Sequence, residues 1–119
     1  MRGLTILVPT DDRVRFRAAL SLACAQAALG GRVRLFCQEE AASLLIDRPD
    51  LDQTTLIDRG LPTIPDLIAA AHDVGVVLMV CQTGLSAAAL IPERLYDGVE
   101  PGGLVGVLAT LDDDRLVVA

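Results

Sequence analysis

Three thiols are the reactive groups of this chain: Cys24, Cys37 and Cys81. One imidazole, His72, accompanies them, and the ten basic residues are all Arg, with no Lys. Chemistry that rests on a Lys amine is therefore excluded, which removes phosphate-loop NTPases, Schiff-base enzymes and pyridoxal enzymes. Thiol chemistry remains, and its active form is the thiolate. Cys81 closes the apolar run that starts at Val76 and is followed by Gln82, Thr83 and Gly84. It stands where a buried strand gives way to a helix. A helix start offers unpaired N–H groups and the positive end of a dipole, and both favour an anionic sulfur. A small apolar Cys finishing a core strand fits the same place, so position alone leaves both readings open. Cys37, followed by Gln38, ends a second strand, which carries Val33, Leu35 and Phe36. It reads as an inert thiol at the edge of the core, or as a second working thiol if its strand neighbours that of Cys81, since adjacent strands lie ~4.8 Å apart. Cys24 shares a helical face with Phe16, Leu20, Ala23 and Ala27 and reads as core.

Other site chemistries lack their parts. No C-x2-C spacing is present, so three Cys and one His do not make a zinc site or a thioredoxin-type pair. A Cys-x5-Arg phosphate loop fails, because Ser43 and Ala87 stand where the Arg would be. A thiol hydrolase needs a base beside its sulfur, and His72 sits at the far end of a helix, where it reads as a surface cap. Asp11 and Asp12 after the first strand would suit a phosphoryl-accepting receiver domain. That chemistry also needs an aspartate after the third strand and a later Lys, and here the third strand ends in Cys81. The run Gly102-Gly103-Leu104-Val105-Gly106 is a glycine-rich helix start, not a dinucleotide fingerprint. Arg13, Arg15 and Arg17 read as a solvated helix face, with Arg13 nearest the strand edge. No metal or organic cofactor is called for.

The elements that must hold these residues follow from the apolar pattern. Leu4 to Val8 is a continuous apolar run ended by Pro9, the form of a strand buried on both faces. Thr10, Asp11 and Asp12 offer an N-cap, and Val14 to Leu29 is helical until Gly30-Gly31 stops it. Arg32 to Cys37 is a second strand, and Glu39 to Ile46 a short helix. Asp47 to Pro62, with Pro49 and several Asp, is an irregular excursion with at most a short strand near Thr55 to Ile57. Ile64 to Asp73 is a helix with Pro65 in its first turn, and Val76 to Cys81 is the third strand. Ser86 to Leu90 belongs to a following helix interrupted by Pro92. Gly98 to Glu100 is a short strand, Pro101-Gly102-Gly103 opens a helix to about Leu111, Asp112 to Asp114 is a turn, and Arg115 to Val118 is the last strand. Strands alternating with helices predict an α/β domain with helices on both faces of a parallel sheet. In such sheets ligands bind beyond the carboxyl ends of the strands. That places Thr10, Asp11 and Asp12 in a crevice, with Cys37 and Cys81 on the same edge.

The chain has 119 residues, 52% of them apolar and 22% charged, with a net charge of −6. It reads as one domain, 1–119, with enough chain to bury its own core. The acidic balance and only Phe16, Phe36 and Tyr96 as aromatics speak against nucleic-acid binding. The first apolar run is too short for a signal peptide, and no stretch reaches the ~18–20 apolar residues of a membrane span. A cytoplasmic protein with free thiols is expected.

Leu61-Pro62-Thr63-Ile64-Pro65-Asp66-Leu67-Ile68, followed by Val74-Gly75 and the strand Val76 to Cys81 with Gln82, resembles the DsrE/DsrF-like sulfur-relay family. So does the tail, Val99-Glu100-Pro101-Gly102-Gly103, a helix, an acidic turn and Arg115-Leu116-Val117-Val118. The likeness spans nearly the whole chain. It is closest to the peroxiredoxin-like DsrE branch, where Cys-Gln follows the strand. That branch often continues with Met and an Asp, whereas this chain reads Thr83-Gly84-Leu85-Ser86. The resemblance implies a three-layer α/β/α domain around a five-stranded parallel sheet of order 4-3-2-1-5. It implies homotrimers or hexamers, or hetero-hexamers with related subunits. It also implies that Cys81 carries persulfide sulfur between donor and acceptor proteins, with the N–H groups of Gln82, Thr83 and Gly84 stabilising the sulfur anion. The residues leave two further readings: a non-catalytic ligand- or partner-binding subunit, and a redox sensor in which Cys37 and Cys81 pair.

Overall fold

A computed structural model describes residues 1–48 and 52–119. Five strands form one sheet: β1 (Leu4–Val8), β2 (Val33–Cys37), β3 (Val77–Cys81), β4 (Glu100–Gly102) and β5 (Arg115–Val118). Their order is β4-β3-β2-β1-β5 and every pairing is parallel. Five α-helices connect them: α1 (Arg13–Ala28), α2 (Thr54–Asp58), α3 (Ile64–Asp73), α4 (Gln82–Ala87) and α5 (Leu104–Ala109). This is the α/β fold and the strand order that the resemblance implied. Among the described residues, no helix is long and apolar enough to cross a membrane.

Register assigns each side chain to a face, because alternate residues of a strand point to opposite sides. Leu4, Ile6 and Val8 pair with Val33, Leu35 and Cys37, and Leu35 and Cys37 pair onward with Leu78 and Val80. These residues form one core with Phe16, Leu20 and Ala23 of α1 and Ile64, Ile68 and Ala71 of α3. Leu85 of α4 and the 3-10 turn Glu39–Leu45 join the same core. α3 starts on a capping box, Thr63 with Asp66, and Pro65 lies in its first turn. The other face carries Thr5, Arg34 and Phe36 and is met by α5.

On that second face a polar chain replaces apolar packing. Arg34 Nε donates to Thr5 Oγ1 at 3.1 Å, and Thr5 donates to Asp114 Oδ2 at 2.8 Å. Arg34 also donates to Val107 O at 3.0 Å and to Thr110 Oγ1 at 2.7 Å, which fixes α5. Arg32 Nη2 binds Asp114 Oδ2 at 2.9 Å. A Cβ at Gly3 would overlap the Asp114 carboxylate, so the chain needs glycine there. Burial acts most strongly on Asp114 and pushes its carboxyl up. The hydrogen bonds from Arg32 and Thr5 and the charges of Arg32 and Arg34 together outweigh it, so the net shift is downward. Burial, with repulsion from Arg32, pulls Arg34 down against the attraction of Asp114. A guanidinium titrates so far above neutrality that the pair stays ionic all the same.

Three local expectations are corrected and one is refined. The segment Thr54–Asp58 is helical and not a strand. Asp52 Oδ1 accepts from the Thr54 N–H at 2.9 Å and from its hydroxyl at 2.6 Å, a polar start that launches a helical turn. The part of the expected excursion at Pro49, Asp50 and Leu51 lies outside the described residues. The helix after β3 begins at Gln82 and ends before Ala89, whose φ is 52°; Pro92 begins a separate 3-10 turn. The fourth strand is Glu100–Gly102, because Gly98 holds a φ of 84° against the His72 ring. The short helix after β2 is of 3-10 type.

Asp114→Ala leaves the Arg34 charge buried without its partner. It should lower unfolding free energy in urea by about 3–5 kcal/mol. Adding Arg34→Met to that variant should recover part of the loss. The native carboxyl binds its proton less readily than the unfolded one. Its stabilisation is therefore complete above the unfolded carboxylate range and is lost as pH falls through the native value. Asp114→Asn should flatten the acid limb of the stability curve.

Candidate functional site

Cys81 is the last residue of β3 and the N-cap of α4. It is partly exposed. Its Sγ accepts the Gly84 N–H at 3.3 Å. The backbone of Cys81 is extended, with φ −70° and ψ 119°, so the chain turns from strand to helix with no connecting loop. Of the three N–H groups expected near the sulfur, that of Gly84 reaches it, while Gln82 and Thr83 are exposed at the start of α4. The register partner of Cys81 on β4 is Gly102, which presents no side chain beside the sulfur.

Gly84 holds a second constraint. An added Cβ there would come within 2.7 Å of the Glu39 carbonyl oxygen and 3.2 Å of the Glu39 nitrogen. Glu39 itself has a φ of 52°, the left-handed region, directly after the carboxyl end of β2. The bend after Cys37 and the start of α4 are thus packed backbone against backbone. This contact aims the Gly84 N–H at the Cys81 sulfur. The sequence alone marks Gly84 only as a donor; the small residue three positions past a strand-ending Cys is the one trace of this contact.

Cys37 is fully buried. Val80, not Cys81, is its register partner, and its other neighbour is Val8. The strands of Cys37 and Cys81 are adjacent as expected, but the two side chains project from opposite faces of the sheet. Burial pushes the Cys37 thiol well above its ordinary value, which keeps it protonated. The geometry therefore does not bring the two thiols together, and all three cysteines are free. Cys24 packs partly against the core from α1, where burial also pushes its thiol up.

Thr10, Asp11 and Asp12 are exposed beyond β1. Asp12 caps α1 by accepting the Arg15 N–H at 3.0 Å. β2 separates them from β3, a gap of two strand spacings or about 10 Å. They share the carboxyl edge with Cys81 and make no hydrogen bond with it. His72 is exposed in the last turn of α3 and lies against Gly98. Beside α4 runs an apolar groove of about 520 Å³ lined by Gln82, Leu85, Ser86, Leu90, Leu95 and Pro101, with Pro92 at its rim. Cys81 does not line it, although its chain neighbour Gln82 does. Among the described residues no three His, Cys, Asp or Glu side chains converge as a metal-binding group.

Two measurements test this geometry. Alkylation of the native protein should modify Cys81 first and reach Cys37 only on unfolding. Gly84→Ala forces α4 away from the bend at Glu39; it should cost about 1–3 kcal/mol of stability and change the rate at which Cys81 is alkylated.

No family model matches the chain, and no curated protein matches it in sequence. Solved structures do match. The YchN protein from Escherichia coli superposes with a TM-score of 0.82 at 20% identity, covering 100% of both chains. MTH1491 from Methanobacterium thermoautotrophicum, a protein of unknown function, gives 0.75 at 14% identity, again over 100% of both chains. BT1422 from Bacteroides thetaiotaomicron, also of unknown function, gives 0.66 at 10% identity over 97% of this chain and 94% of that one. At these identities the likeness is one of fold, and the fold of this chain is DsrE-like.

Proposed function

We propose that the protein is a sulfur carrier that works through Cys81. The observation that carries this reading is the placing of that thiol: partly exposed at the end of a core strand, with the Gly84 N–H on its sulfur. In the sulfur-relay family that the sequence resembles, working members hold persulfide sulfur on the matching cysteine. In the first step the Cys81 thiolate attacks the outer sulfur of a donor persulfide. The donor S–S bond breaks, the donor leaves as a thiolate, and Cys81 holds the sulfur. In the second step an acceptor thiolate attacks that outer sulfur and releases the Cys81 thiolate. Each step exchanges one S–S bond for another, so there is no net oxidation. The cycle uses donor and acceptor proteins in a thiol-reducing compartment such as the cytoplasm, and no metal or organic cofactor. Cys37 has no part in it.

The apolar groove beside α4 favours a second reading, a ligand- or partner-binding subunit without sulfur chemistry. One experiment separates the two. Reduced protein is incubated with a persulfide donor, and bound sulfur is mapped by mass spectrometry. The carrier reading expects one added sulfur on Cys81 and none in Cys81→Ser. Equal labelling of that variant, or none of the parent, would leave only the binding reading.

We also propose that the chain assembles with itself through the second face of the sheet. Val105 is 85% exposed and Val118 65%, and Leu104, Leu108 and Leu116 are exposed beside them on α5 and β5. Such a patch is the usual mark of an interface. The expected assembly is a trimer or hexamer, as the family resemblance implies. Light scattering should give a multiple of the 12.5 kDa chain mass, and Val105→Glu with Leu108→Glu should reduce it to one chain with the fold retained by circular dichroism.

A further inference from the structure

At the start of α1 two arginines stand close together without an ion pair among the described residues. Arg13 and Arg17 are four residues apart and share a helix face. Both line a pocket of about 240 Å³ together with Val14, Asp52, Gln53, Leu56 and Ile64. Arg17 is half-buried, and its Nη1 is shut off from solvent with no hydrogen-bond partner. Among the described residues neither arginine forms an ion pair; the two ion pairs present both belong to Asp114. Asp52 shares the pocket without pairing with either arginine, and its Oδ1 accepts both the N–H and the hydroxyl of Thr54.

For stability alone this arrangement is a poor one. Like charges at this spacing repel, and a guanidinium nitrogen buried without a partner costs free energy. A merely solvated helix face would not turn Arg17 inward. The lining explains what would suit it. Val14, Leu56, Ile64 and the methylene stems of the arginines make apolar walls. Gln53 Oε1 accepts the Ile64 N–H at 3.3 Å, which leaves its amide NH2 as a further donor. Two Arg and one Asp leave one positive charge in excess. The pocket lies on the carboxyl edge of the sheet, the side on which α/β folds bind ligands.

We infer that this pocket binds a small organic monoanion, with a carboxylate head held by Arg13 and Arg17 and an apolar body on Val14, Leu56 and Ile64. Arginine pairs readily with carboxylate through two parallel hydrogen bonds. Binding asks only that the half-buried guanidinium turn Nη1 toward the incoming oxygen. No thiol lines this pocket. The inference is independent of the sulfur-carrier reading, and Cys81→Ser should bind the anion as the parent does.

The test titrates the intact chain with hexanoate, with hexanol, hexylammonium and inorganic sulfate as comparisons, followed by calorimetry and by amide NMR shifts. Hexanoate should bind and move the signals of Val14, Leu56 and Ile64. Hexanol, hexylammonium and sulfate should each bind about tenfold or more weakly, each lacking the charge or the apolar body. Arg17→Met should melt no lower than the parent, because the lost charge had no partner, and should weaken hexanoate about tenfold or more. Arg13→Gln, on the exposed rim, should weaken it too, and serves if Arg17→Met does not fold. The proposal is overturned if hexanoate fails to bind, if hexanol or sulfate binds as well, or if the folded variants bind hexanoate unchanged.

Discussion

A guanidinium inside a parallel sheet has to be answered from within the fold, and Arg34 sits in the middle strand. Its answer comes from three places in the chain: Thr5 on β1, Val107 and Thr110 at α5, and Asp114 in the turn before β5. The last strand is thereby set beside the first, and the last helix is set against the second face. The first face is an ordinary apolar core. The second is pinned at one end by charge and left apolar and open over α5 and β5. The proposed assembly surface is thus a consequence of how one buried charge was accommodated.

Parallel register does comparable work for the thiols. Since Cys37 pairs with Val80, the next residue along β3 has to face the other way. One cysteine is sealed between Val8 and Val80, and the other is released at the strand end. Two residues of the same type at similar sequence positions receive opposite chemistry. The deciding quantity is an odd or even offset in pairing, which spacing along a single chain does not display.

That distinction explains what could be read from the residues. The runs Leu4 to Val8 and Val76 to Cys81 announced buried parallel strands, and Thr63 with Pro65 announced the start of α3, because these signals are local. Gly98 looks like strand in the sequence because its contact with His72 joins distant parts of the chain. Thr55 to Ile57 has the β-branched composition of a strand, but both borders of the sheet are taken by β4 and β5, and the Asp52 turn decides for helix. The Arg34 network has a legible trace: an Arg between Val33 and Leu35 in a strand of a sheet covered on both faces demands an acid, and the Asp112 to Asp114 turn supplies one. The candidate site divided in the same way. Cys81 at a strand end was legible, while the packing of Gly84 on Glu39 and the inward turn of Arg17 arise only when the helices are laid on the sheet.

β4 is three residues long and its middle residue is Pro101, which has no N–H to offer a further strand. One border of the sheet is therefore a dead end for strand addition. Exposed sheet borders are where folded domains recruit one another into open-ended fibrils. Here that route is closed by a single imino acid. The bare aliphatic surface of α5 and β5 is thereby separated from the β4 border, which offers no template for a further strand.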